Sequence, residues 1–140
     1  MKKIVLISCA AKKDTGKRKA KDLYLSDLFK KNLAYGQSLN PDKIFILSAK
    51  HNLLSLDKEI EPYDLTLNNF KNKELKQWTD KTIEQLSKES DLQKDKFIIL
   101  AGAKYRKFLE SHLNNKEIPM KGLTIGRQLQ FLTNELDGNS

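Results

Sequence analysis

Three short apolar runs, residues 4–7, 44–47 and 97–100, each break off into small or polar residues, and this repetition most constrains what the chain can become. Each run is continuous rather than alternating, as in strands covered on both faces of a parallel sheet. The strands are predicted over residues 2–9, 43–49 and 96–101. Between the first two, Leu25, Leu28, Phe29 and Leu33 recur at helical spacing, with Ser26 or Asp22 placed as N-cap and Gly36 near the far end. Asn40-Pro41-Asp42 is turn chemistry. Strand, helix, strand in this order implies a right-handed parallel crossover.

The second half repeats the alternation. Asn68 or Asn69 can cap a helix whose face carries Leu75, Trp78, Ile83 and Leu86, and Trp78 reads as core because it is in register with that stripe. Gly102 leads toward a helix with Tyr105, Phe108, Leu109 and His112. Residues 117–123, with Pro119 and Gly122, suit a short edge strand, and Ile125, Leu129, Leu132 and Leu136 mark a last helix. The expected architecture is α/β and three-layered, a mostly parallel sheet of three to four strands flanked by helices. At 140 residues one domain is expected, over residues 1–136, with residues 137–140 as a disordered tail.

Two connections stand out. Residues 11–21 hold Lys12, Lys13, Lys17, Arg18, Lys19 and Lys21 and no apolar side chain larger than alanine, so an exposed and mobile loop is expected. Residues 50–67 show no clear period and contain Pro62 and scattered acids. Long irregular segments in compact domains are often functional.

The net charge of +8 is concentrated at one end. Residues 1–50 carry eleven Lys and one Arg against four Asp, whereas residues 51–140 balance fourteen basic against fourteen acidic side chains. One-sided positive charge attracts phosphate-rich partners, which places nucleic acid or nucleotides first. A solvated lysine-rich face is the plain alternative. The lone Cys9 cannot form an intramolecular disulfide, and one Cys with two His does not make a closed zinc site, so no metal or other cofactor is expected. The first apolar run is too short for a signal core or a bilayer span, so a cytoplasmic protein without a membrane partner is expected. Walker, dinucleotide-binding, His-Glu-x-x-His and serine-elbow motifs are missing, which counts against those enzyme classes.

In parallel α/β sheets ligands bind beyond the carboxyl ends of the strands. That rule selects Ser8-Cys9-Ala10, Ser48-Ala49-Lys50-His51 and Ala101-Gly102-Ala103-Lys104-Tyr105. Gly102, opening a helix, would offer free N–H groups to a phosphate. Lys50 supplies a compact positive charge and His51 a proton-transfer group near neutral pH. Cys9 becomes a nucleophile only if Lys12 or His51 lowers its thiol pKa, and a strand-end cysteine is more often a small apolar residue. For chemistry at an N-glycosidic bond, Tyr63, Tyr105 and Asp64 would supply an aromatic pocket and a carboxylate.

The segments Ser8-Cys9 with Lys12-Lys13, Leu23-Tyr24-Leu25-Ser26, residues 47–54, Pro62-Tyr63-Asp64, Ala101-Gly102 with Tyr105, and residues 122–129 with Gly126-Arg127 together resemble uncharacterised bacterial and phage domains related to the YaaA peroxide-stress proteins. More distantly the chain looks like the uracil-DNA-glycosylase-like domains of deazaguanine-modification enzymes. The resemblance spans nearly the whole chain. It implies DNA as the favoured partner and extends the site to Lys12, Lys13, Tyr24, Ser26, Tyr63, Gly126 and Arg127. Where the family usually has Tyr-Gly after the lysine, this chain has His51-Asn52, and Asn is the residue after Gly that best tolerates a left-handed backbone.

Three functions follow as expectations. The first is an enzyme of base or nucleotide modification, with Lys50, His51, Tyr63 and Asp64 as its catalytic candidates. The second is a non-catalytic DNA-binding, stress-protective protein. The third is a phage or mobile-element interaction protein using the fold as a scaffold.

Overall fold

The computed structural model describes residues 1–138. Its frame is a five-stranded sheet. Strand β1 (Lys3–Ser8) lies at the centre, and β2 (Arg18–Lys19) and helix α1 (Ala20–Leu23) follow it in the chain. Helix α2 (Asp27–Ser38) then leads to β3 (Lys43–Ser48), β4 (Asn52–Ser55) and β5 (Glu59–Ile60). The second half runs α3 (Asn72–Glu89), β6 (Lys96–Leu100), α4 (Ala103–Arg106), β7 (Asn115–Glu117) and α5 (Ile125–Gly138).

The sheet order is β4-β3-β1-β6-β7, parallel throughout except that β4 returns antiparallel to β3. Because strand side chains alternate between faces, each continuous apolar run feeds two cores at once. Val5, Ile7, Ile46, Ile98 and Leu100 pack with Phe29 and Tyr35 of α2 and Leu132 of α5. Ile4, Leu6, Phe45, Leu47, Phe97 and Ile99 face the other way, onto Leu75, Trp78 and Leu86 of α3. Three layers result, as the two-sided apolar runs predict.

Local signals explain the helices. Ser26 caps α2, its hydroxyl accepting the Phe29 N–H at 3.1 Å. Gly36 lies near the far end of α2, as expected, where a Cβ would stand 3.0 Å from Val5 Cγ1, so glycine lets the helix sit down on β1. Helix α3 starts at Asn72, not at Asn68 or Asn69. Those two residues belong to a 3₁₀ turn, and Glu74 accepts the Lys71 N–H at 3.0 Å to close the first turn.

Several expectations are corrected. The edge strand covers Asn115–Glu117 and ends where residues 117–123 were expected to begin one. Residues 50–67 contain β4 and β5, whose pairing partners are remote and leave no local period. Residues 11–21 are tied down: Arg18–Lys19 pair with Glu59–Ile60, Ala20 is fully buried, and the Lys21 N–H donates to the Leu56 carbonyl at 3.0 Å. The stretch after Gly102 makes only the single helical turn α4, a bend and a 3₁₀ turn at Glu110–His112. Helix α5 continues through Asp137 and Gly138, where a disordered tail was expected. The rest of that tail, Asn139 and Ser140, lies outside the described residues. No helix among the described residues is long and apolar enough to cross a membrane.

Candidate functional site

The chain passes from β1 to β3 on one side of the sheet and later to β6 on the other, so β1 stands where the strand order reverses. Such switch points open a crevice at the carboxyl ends of the strands. The residues gathered there are Ser8 and Cys9 at the end of β1, Ser48 and His51 at the end of β3, and Tyr105 beyond β6. Tyr24, Lys13 and Tyr63 join them from the connections.

Their centre is a chain of hydroxyls. Tyr24 and Tyr63 share a hydrogen bond at 2.6 Å, and Tyr63 and Ser48 share another at 2.8 Å. Ser48 also accepts the His51 N–H at 3.0 Å, an ST-turn that shapes the β3–β4 hairpin. Asn52 closes that hairpin with a left-handed φ of 63°, as its side chain permits. Its amide then donates to the Trp78 carbonyl and to Thr82 Oγ1, and Trp78 Nε1 donates to the Ser48 carbonyl at 2.9 Å. Trp78 is therefore core, as its register predicts, and also the strut under Ser48. Cys9 Sγ and the Tyr105 hydroxyl share a contact at 3.0 Å, and the Tyr105 ring meets Trp78 edge-on.

Electrostatics follow from burial. Tyr24 is 1% exposed, and burial pushes its phenol up to about 12 although the hydrogen bond from Tyr63 works against the shift. Burial also raises the phenols of Tyr63 and Tyr105 above the ordinary tyrosine range, with Cys9 adding to both. All three phenols stay neutral at physiological pH. His51 packs edge-on against Tyr63, and burial, followed by the positive charges of Lys50 and Lys58, lowers its pKa, so its imidazole is neutral as well. Lys13 is held against the tyrosines: its Nζ lies 4.4 Å from the Tyr63 ring centroid and donates to the Ala11 carbonyl at 3.1 Å.

Not every residue singled out from the sequence enters the cluster. Lys12 is exposed beside Lys13, and Ser26 serves as the α2 cap on the wall of a neighbouring cleft. Lys50 and Asp64 are exposed, and their side chains take no part in these hydrogen bonds. Gly126 and Arg127 are exposed in the first turn of α5. Gly102 does open a helix, but that helix is four residues long, and the Arg106 side chain beneath it is committed to the Ala101 carbonyl at 2.9 Å and Glu110 at 3.0 Å. The end of β6 brings Tyr105 to the cluster. Asn32 of α2 was not picked out, since a polar residue in a helix ordinarily faces water; it is in fact buried beside Ser8 and Cys9. Among the described residues no three His, Cys, Asp or Glu side chains converge to hold a metal ion.

Fold and site together define a three-layer α/β protein with a tyrosine- and serine-lined crevice at the switch point of its sheet. The chain belongs to a family of unknown function (DUF6884), whose family model it matches over residues 4–134. No curated protein and no solved structure matches it.

Proposed function

We propose that this crevice holds a phosphate group of a nucleic acid or nucleotide, DNA being the favoured partner. One observation carries the reading: the hydroxyls of Tyr24, Tyr63 and Ser48 converge within hydrogen-bond distance beside the Lys13 ammonium, and Ser48 is an acceptor again toward His51. Hydroxyl donors beside a fixed ammonium favour an anionic acceptor, and charge-assisted hydrogen bonds to phosphate oxygens are among the stronger kinds. The surplus of basic residues in the first fifty supplies the long-range attraction. The likeness to domains related to the YaaA peroxide-stress proteins supports DNA over a free nucleotide.

Fluorescence anisotropy of a labelled oligonucleotide tests this. Affinity should fall linearly in log–log form with salt, and Lys12→Ala/Lys13→Ala should make that slope shallower by about one to two. Tyr63→Phe should weaken binding with an unchanged slope, since it removes a donor and no charge. Failure to bind at low salt refutes the proposal.

A second reading, base or nucleotide modification, is favoured by the neutral His51 imidazole beside the Tyr63 ring, a pairing suited to proton transfer. A mass change in an oligonucleotide or nucleotide incubated with the protein, lost in His51→Gln, would support it. Unchanged substrate masses with every nucleotide tried would refute it.

A further inference from the structure

Beyond the carboxyl end of β6 a cavity of about 240 Å³ opens between that strand, the segment after β7 and the start of α5, and none of its lining residues belongs to the hydroxyl cluster. Arg106 lines it. An arginine only 8% exposed is costly unless its donors all find partners, because stem and charge both leave water. A guanidinium has five N–H groups, and the protein accepts from Nε and Nη1 alone: Nε donates to the Ala101 carbonyl at 2.9 Å and Nη1 to Glu110 at 3.0 Å. Nη2 makes no hydrogen bond among the described residues. It is not sealed away either, since the one buried side-chain nitrogen or oxygen without a partner among those residues is Asn32 Oδ1. A guanidinium fixed at two points thus keeps free, reachable donors beside the cavity it lines.

The surroundings define the ligand. Ile99, Ile118, Met120 and Leu123 make apolar walls, and Gln128 Nε2 donates to the Leu123 carbonyl at 2.9 Å, which ties α5 to that lining. The cavity is smaller than sites for drug-sized molecules, so it suits a short chain or a single ring. Lys104, Lys121 and Arg127 each adjoin a lining residue in the chain, whereas the acids nearby, Glu110 and Glu117, are already paired with Arg106 and Lys96. This balance favours an anion. A phosphate dianion would set two charges against a guanidinium that Glu110 already faces, with no second cation in the lining. A carboxylate brings one charge and two coplanar oxygens, the shape a guanidinium binds through parallel hydrogen bonds. We infer that the cavity binds a small organic carboxylate, its head on the free donors of Arg106 and its apolar body against Ile118 and Leu123. The site is separate from the phosphate reading above and does not depend on it.

The test titrates the whole ¹⁵N-labelled protein with butyrate, benzoate, neutral benzamide and inorganic phosphate as separate probes. At least one carboxylate should shift the Arg106 Nε–H resonance saturably, and benzamide should not; the resonance is assigned by its loss in Arg106→Met. That variant keeps an unbranched apolar stem and should bind the carboxylate about tenfold more weakly. Glu110→Gln removes the competing charge and keeps an acceptor for Nη1, so it should tighten binding about threefold or more. Gly102 lines the cavity on ordinary extended backbone, and a Cβ added there meets nothing within 4 Å, so Gly102→Leu keeps the fold and should weaken binding by crowding the site. If neither carboxylate moves the Arg106 resonance, or benzamide binds as tightly as benzoate, the inference is overturned. Unchanged or weaker binding in Glu110→Gln overturns it too, as does phosphate binding there more tightly than either carboxylate.

Discussion

Tyr63→Phe probes the hydroxyl chain most sharply, because its two partners differ in what they lose. Ser48 still accepts the His51 N–H at 3.0 Å and forfeits one bond, a loss of about 0.5–1.5 kcal/mol. The Tyr24 hydroxyl loses its 2.6 Å partner and at 1% exposure cannot turn to water; it is left with Ser48, already engaged by His51, so the loss costs a further ~1–3 kcal/mol. The single variant should therefore be less stable by roughly 2–4 kcal/mol. Tyr24→Phe alone should cost less, about 0.5–1.5 kcal/mol, since Tyr63 is half-buried, keeps Ser48 and has water within reach. In the double variant the stranded Tyr24 hydroxyl no longer exists. Adding Tyr24→Phe to Tyr63→Phe should thus restore about 1 kcal/mol or more, a strongly non-additive cycle. Urea denaturation followed by circular dichroism measures all four proteins, with equal m-values certifying a common unfolding reaction. Additive losses, or a double variant less stable than Tyr63→Phe, would refute the reasoning.

Five other outcomes are expected. All four tyrosines have phenols raised by burial, so phenolate absorbance should not appear near pH 10 in the folded protein. For Tyr24 the folded value of about 12 exceeds the ordinary 10.0, so its stabilising effect is complete below pH 10 and is lost as pH rises toward 12; Tyr24→Phe should flatten alkaline unfolding in that window. His51 has a folded pKa below the ordinary 6.5, so stability is lost as pH falls from 6.5 through the folded value, and Lys50→Ala should raise the value read from its ring proton by NMR. Asp95 accepts the Lys2 and Asp91 N–H groups, each at 2.8 Å, which depresses its pKa; Asp95→Ala should cost about 2–4 kcal/mol by urea denaturation. Gly36→Ala gains about 1 kcal/mol of helix propensity but forces a methyl to 3.0 Å from Val5 Cγ1 in a packed core, so thermal melting should show a net loss.

The apolar runs, the Ser26 cap and the Trp78 register were all legible in the sequence, because each depends on residues within a turn or two of one another. So was the convergence of Ser8, Cys9, Ser48 and Tyr105, since strand ends in a parallel sheet share one edge whatever the connections do. Strand β4 was not legible: Asn52–Ser55 is four residues long, and its place is set by pairing with β3. The basic segment looked mobile because nothing apolar anchors most of it, yet it is held by backbone bonds to residues 56–60, which lie far along the chain.

Those distant bonds separate the two kinds of information most clearly. Local chemistry determined the layers, the strand ends and the half of the chain that carries the positive charge. Only the tertiary structure decided that Tyr63 would meet Tyr24, 39 residues away, that Lys13 would stand over its ring, and that Asn32 would turn its amide oxygen away from water. Side-chain periodicity reports which face of an element is buried, but the partner buried against it is chosen by long-range packing, which no short stretch of sequence encodes.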